Sequence, residues 1–244
     1  MMKYLYANGC SFVYGAELKY PERDRWSKKL SDRFELKELN YAKNGSSNKR
    51  ILRKTKQFIL DDIKRATETF FVIGWTQTCR TELYNSVVKK YQSINRGVQP
   101  KDVVNENGSD ASGEAIIGKT TGYFLGKSPG VKFWKENLTY YCDNNNMIEE
   151  SVNYIFCLQE IMKKFNLKYY FFSSMENGIL EIINEQYKQL FDLDKVYFQS
   201  QEDWISGKDG CGFSGSHPNV KSHFYWSKLL YNKYTELYGE TNDR

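Results

Sequence analysis

Apolar and polar positions along this chain follow two alternating periods. Tyr4-Leu5-Tyr6-Ala7, Phe70-Phe71-Val72-Ile73 and Leu167-Lys168-Tyr169-Tyr170-Phe171-Phe172 are short apolar-rich runs that close on Gly or Ser. Runs of that length and closure predict strands buried on both faces. Weaker strand signals lie at 36–41 and 195–198. The intervening segments switch to a helical period. Ile148, Val152, Ile155, Phe156, Ile161, Met162 and Phe165 fall on one stripe, and Ile51, Phe58, Ile59 and Ile63 do the same within 48–65. A last helix is predicted over 220–238. Strand and helix in alternation predict a parallel sheet with helices on both faces, a three-layer αβα sandwich of about five strands. The whole of 1–244 reads as one such domain. One stretch breaks the pattern. From about 85 to 146 the periodicity is irregular, with a polar, glycine-bearing loop at 105–113. A loop of that length is unusual inside a compact domain, so the segment is expected to be an insertion: a lid, a substrate-binding element or an oligomer contact. Trp134, Tyr140 and Tyr141 suggest that its second half packs on something.

Composition narrows the class. At 244 residues the chain is long enough for a full α/β core. Its 35 basic and 30 acidic residues leave a net charge of +5, spread along the chain, which is a weak electrostatic footprint for nucleic acid. No 18-residue apolar stretch is present, and residues 3–6 enter a strand directly, so neither a membrane span nor a signal peptide is expected. A cytoplasmic or otherwise delivered soluble protein is the expectation. The 5 cysteines (Cys10, Cys79, Cys142, Cys157, Cys211) are odd in number and irregularly spaced, which argues against a disulfide framework. With 2 histidines and no carboxylate–histidine spacing, the reading calls for no metal and no cofactor.

Ligands bind at the carboxyl ends of the strands in a sheet of this kind. Four polar clusters fall there: Ser11 after the first strand, Asn44-Gly45-Ser46-Ser47-Asn48 after the second, Gly74-Trp75-Thr76 after the third, and His217 in Gly-Ser-His-Pro-Asn before the last helix. Gly9 and Gly15 flank Ser11 and allow a sharp turn there. A serine hydroxyl is a poor nucleophile without a base, and His217 is the candidate base. His223 makes an i, i+3, i+7 stripe with Trp226 and Leu230, so it is expected to pack against the sheet. Asn48 and Arg50 open a helix, where capping is their simplest role. Arg80 can bind an anionic substrate group or form an ordinary ion pair.

In the order and spacing of these clusters the chain resembles the SGNH/GDSL hydrolase superfamily, over about 3–80 and 165–238. Gly9-Cys10-Ser11 stands where that family has Gly-Asp-Ser, and Gly45 stands where its second block donates an amide to the oxyanion. Gly74-Trp75-Thr76 stands for Gly-x-Asn, and His217 for the fifth-block histidine. The resemblance implies a Ser11–His217 pair with an oxyanion and substrate site built from the amides of Ser11 and Gly45, with Thr76 or Asn48. Three departures accompany it: Thr76 replaces an asparagine, Cys10 an aspartate, and Ser214 the aspartate three residues before the histidine. The expected replacements for that last aspartate are a backbone carbonyl in 212–215, Ser214, or Asp209 from the glycine-rich 207–215 loop. Two functions follow as expectations. One is an esterase or deacylase acting on a small-molecule or carbohydrate ester, such as an acetylated sugar. The other is a module of weak or absent activity that binds glycan or builds an assembly.

Overall fold

The computed structural model describes residues 2–85, 89–95, 144–175 and 179–239. Its centre is a parallel sheet. Strand β1 (Tyr4–Asn8) lies between β2 (Lys37–Asn40) and β3 (Thr69–Trp75), and β6 (Lys168–Ser173) and β7 (Val196–Tyr197) continue the sheet beyond β3. All seven residues of β3 are buried, as its continuous apolar run requires of a central strand. Its side chains still alternate between two cores. Phe71 and Ile73 face one, with Tyr6, Phe171 and the apolar stripes of α4 (Asn48–Asp61) and α6 (Asn144–Lys164). Phe70 and Val72 face the other, with Leu5, Phe172, Trp26 and Leu30 of α3 (Trp26–Arg33), and Trp226 and Leu230 of α9 (Val220–Tyr238). These are the three layers expected from the sequence, with the strands where the apolar runs place them. Among the described residues no helix is long and apolar enough to cross a membrane.

Helix ends follow their caps. Ser47 accepts the amide of Arg50 at the start of α4, and Asn219 accepts that of Ser222 at the start of α9. The helix expected over 48–65 is broken at Asp62, which leaves helical geometry (φ −154°) and caps the separate α5 (Ile63–Thr67) by accepting the Arg65 amide. Asp is a strong cap and a poor interior residue, so the competition resolves as two helices.

Two hairpins were not expected. β4 (Arg80–Asn85) and β5 (Lys90–Asn95) pair antiparallel. They dock on α4 through Arg53, whose guanidinium donates to both carboxylate oxygens of the buried Glu82 at 2.6 and 2.8 Å and lies 3.7 Å from the Tyr91 ring centroid. So the segment expected as an insertion opens with a hairpin. Residues 86–88 and 96–143 lie outside the described residues, and with them Trp134, Tyr140, Tyr141 and the 105–113 loop. The second hairpin joins β8 (Phe213–Ser214) to β9 (His217–Pro218), directly before α9.

Candidate active site

The segment after β1 is shaped by what it touches. A Cβ on Gly9 would lie 2.4 Å from Val13 Cγ2 and 2.7 Å from the Gly74 carbonyl, so only glycine fits. The buried Asn8 fixes the turn. Its Oδ1 accepts the Gly9 amide (2.9 Å), while its Nδ2 donates to the Ile51 carbonyl (3.2 Å) and Thr55 Oγ1 (3.0 Å) of α4. Cys10 is the N-cap of the short α1 (Ser11–Tyr14) and is fully buried, whereas Ser11 retains 8% exposure. That difference favours Ser11 over Cys10 as the group open to a ligand. Ser11 is the first helical residue, not the cap. Asn40 ties α1 to β2 by donating to the Val13 carbonyl (3.1 Å). Gly15 closes α1 in the left-handed region (φ 85°).

The second cluster is tethered to this turn by the Lys43 amide, which donates to the Gly9 carbonyl (3.2 Å). Gly45 has φ 67°, and a Cβ there would meet open space. The amides of Ser11 and Gly45 have no hydrogen-bond partner among the described residues. Arg50 braces the loop, donating to the Tyr41 carbonyl (3.1 Å) and Ser46 Oγ (2.9 Å).

Asn48 and Thr76 are engaged within the protein. Asn48 Oδ1 accepts the Thr76 amide (2.9 Å), and Nδ2 donates to the Thr76 carbonyl (3.1 Å) and to Ser151 Oγ (3.2 Å). The Thr76 hydroxyl accepts from Arg80 (3.3 Å) and donates to Met175 Sδ (3.9 Å). These contacts join α4, β3, α6 and β4 around the strand ends. They also commit both protons of the Asn48 amide, the donor the sequence offers to an oxyanion.

His217 reaches the site on β9. Its ring meets that of Phe12 on α1 edge-on, with centroids 5.6 Å apart, so the elements bearing Ser11 and His217 are in contact. The three partners expected for its other nitrogen lie elsewhere. Ser214 is exposed on β8 and Asp209 is exposed in the preceding turn; neither side chain makes a hydrogen bond among the described residues. The Gly212 carbonyl is taken by the Asn219 amide (3.0 Å) and Ser222 Oγ (2.7 Å). Instead His217 Nδ1 lies 3.1 Å from Glu17 Oε1 and 3.2 Å from Ser216 Oγ. Glu17 Oε2 also accepts the Ser216 amide (3.1 Å). Hydrogen bonding from His217, its charge, and the Ser216 donors hold this carboxyl below the usual carboxylate range. Gly215 makes room: it has φ 62°, and a Cβ on it would lie 2.6 Å from Glu17 Oε2. Glu17 and Asn8 are among the residues around the candidate site that the sequence patterns did not single out.

His223 is buried against the sheet. Its Nδ1 accepts the Trp26 amide (3.2 Å), doing for α3 what a capping side chain does elsewhere. Burial above all pushes this imidazole down to about 3. Among the described residues no group of three or more His, Cys, Asp or Glu side chains is placed to hold a metal ion.

No protein-family model and no curated protein matches the chain. Solved structures do. The chain is similar to the psychrotrophic esterase EstA from Pseudoalteromonas, inhibited by monoethylphosphonate, at 11% identity and a TM-score of 0.52, over 96% of this chain and 97% of that one. It is similar to TesA at 11% identity and a TM-score of 0.53, over 96% and 99% of the two chains. It is also similar to Est2A, an acetyl xylan esterase from Butyrivibrio proteoclasticus, at 12% identity and a TM-score of 0.54, over 97% of this chain and 64% of that one. With the parallel sheet, these likenesses show that the chain has an SGNH-like three-layer α/β fold.

Proposed function

We propose that the chain is a serine esterase or deacylase acting on a short-chain acyl ester, including an acetylated carbohydrate. One observation carries the reading: Nδ1 of His217 is engaged by Glu17 and Ser216, which leaves Nε2 without a hydrogen-bond partner among the described residues, and the ring packs on the helix that Ser11 opens. In the proposed reaction Nε2 takes the Ser11 hydroxyl proton as Oγ attacks the ester carbonyl. The amides of Ser11 and Gly45 receive the developing oxyanion. The histidine then returns the proton to the leaving alcohol, and water repeats the sequence on the acyl-enzyme to release the acid. The acyl-ester substrate class is supported by likeness to EstA and to the acetyl xylan esterase Est2A.

A second reading, a glycan-binding or assembly module on the same fold, is favoured by the engagement of Asn48 and Thr76, which leaves the oxyanion to backbone amides alone. Losing one well-placed donor costs about 3 kcal/mol in an acyl transfer. A fluorophosphonate probe separates the two readings, because it needs an activated serine and no assumption about substrate. The wild-type chain is expected to be labelled, and Ser11→Ala and His217→Ala are each expected to lose labelling and hydrolysis of p-nitrophenyl acetate. The double variant is expected to be little worse than either, since the pair acts as a unit. An unlabelled wild-type protein would favour the module.

A further inference from the structure

We infer that Glu17 is the third member of the catalytic set, a positioning carboxylate delivered from the nucleophile's own segment and not from the histidine's. The inference rests on the serine-hydrolase reading above and assigns within it a role expected of a backbone carbonyl, Ser214 or Asp209. Four observations converge on Glu17. Its Oε1 is 3.1 Å from His217 Nδ1. Its Oε2 is pinned by the Ser216 amide at 3.1 Å, so the carboxylate is oriented as well as near. The backbone of Glu17 sits in the left-handed region at φ 64°, a conformation that non-glycine residues seldom adopt and that concentrates at functional sites. Gly215 carries no Cβ in the space the carboxylate occupies. The short α1, closed by a left-handed Gly15, turns the chain back so that Glu17 meets the β8–β9 hairpin.

The chemistry requires a carboxylate there. With Nδ1–H donated to Glu17, the imidazole is held as the tautomer whose Nε2 is an acceptor, which is the form that can take the Ser11 proton. When that proton arrives the ring becomes an imidazolium, and the adjacent negative charge stabilises it while the proton stays on nitrogen. Ser216 Oγ, 3.2 Å from Nδ1, can help to fix the tautomer but carries no charge. Ser214 and Asp209 make no hydrogen bond or ion pair with the ring among the described residues, so neither supplies one.

The test compares wild type, Glu17→Gln and Glu17→Asp. Glu17 is 40% exposed by side chain, so a glutamine is tolerated by the fold and solvent replaces part of the lost charge. Glu17→Gln is expected to lower kcat on p-nitrophenyl acetate about a hundredfold with KM within about twofold; removal of the buried carboxylate in a Ser-His-Asp protease costs about ten-thousandfold. Glu17→Asp, which keeps the charge on a shorter arm, is expected to recover about a tenth or more of wild-type kcat. A separate readout needs no turnover: the downfield Nδ1 proton resonance of His217, expected in wild type and lost in Glu17→Gln. Wild-type labelling by fluorophosphonate with Glu17→Gln labelled within about threefold of the wild-type rate overturns the role of Glu17 and leaves Ser11 and His217 in place. No labelling of any of the three, with the Nδ1 resonance still lost in Glu17→Gln, overturns the serine reading and with it a catalytic role for the pair.

Discussion

At the scale of single residues, the site depends on positions whose value lies in what they lack. Gly215→Ala places a Cβ 2.6 Å from Glu17 Oε2 and keeps φ at 62°. A left-handed alanine costs about 1–2 kcal/mol, and the end of the glutamate side chain can swing away from the clash. The variant is therefore expected to lose only about that much stability in urea titration, while its kcat falls more than tenfold. Equal small losses in both would show that the carboxylate's position is unimportant. His223 makes a pH prediction. Its folded pKa, about 3, lies far below the ordinary histidine value of 6.5. Above pH 6.5 it is neutral folded or unfolded, and its contribution to stability is complete. Between 6.5 and 3 the unfolded chain binds a proton that the folded chain refuses, so stability falls as pH falls, by up to about 1.4 kcal/mol per unit. His223→Gln can still accept the Trp26 amide but does not titrate. Its unfolding free energy between pH 6.5 and 4.5 is expected to slope less than that of wild type, measured by urea denaturation across the range.

Elements are joined at the strand ends by polar clasps as well as by apolar contact. The Asn48–Thr76 pair of hydrogen bonds locks the start of α4 to the end of β3, with both residues buried. Asn48→Ala leaves a buried amide and carbonyl without that partner, at about 1–3 kcal/mol for an unsatisfied buried group, and is expected to lower the urea midpoint accordingly. The strands β1, β3 and β6 were legible because burial on both faces writes an unbroken apolar run into the sequence. The hairpin β4–β5 was not, since Arg80-Thr81-Glu82-Leu83-Tyr84-Asn85 carries no such run. What fixes it is the ion pair of Glu82 with Arg53, 29 positions away, and local patterning holds no trace of that pairing. The break at Asp62 was missed for another reason: apolar residues keep the helical period across it, and only the capping chemistry of aspartate interrupts the backbone.

Seen whole, the molecule is organised by the reversal of strand order about β1. From β1 the chain goes outward to β2 on one side and through β3, β6 and β7 on the other. In sheets of this order the crevice beyond the carboxyl ends of the first and third strands is where ligands bind. Ser11 follows β1 and Thr76 follows β3, so the location of the candidate site was readable from alternation alone. The identity of the acid was not. Glu17 is one acidic residue among 30, and nothing about its neighbours marks it. Its part emerges only when the hairpin bearing Ser216 and His217 is laid against it. A site of this kind also sets a cost on the whole fold. The Ser11 hydroxyl is nearly buried and makes no hydrogen bond to another described residue. Ser11→Ala is therefore expected to match or exceed wild type in melting temperature while losing activity; a drop of several degrees would mean that the hydroxyl has a structural partner.

The sequence separation of 199 positions from Glu17 to Ser216 has a consequence for the chain while it is being made. The proposed nucleophile and its proposed carboxylate lie in one short segment that is synthesised well before the proposed base. At about 5–20 residues per second the ribosome needs roughly 10–40 s to cover that interval. Throughout it the emerging polypeptide holds a serine with nothing to take its proton. On the serine-hydrolase reading, reactivity toward esters would thus switch on only once the β8–β9 hairpin has been made and docks, and a nascent product truncated before that hairpin would be chemically silent.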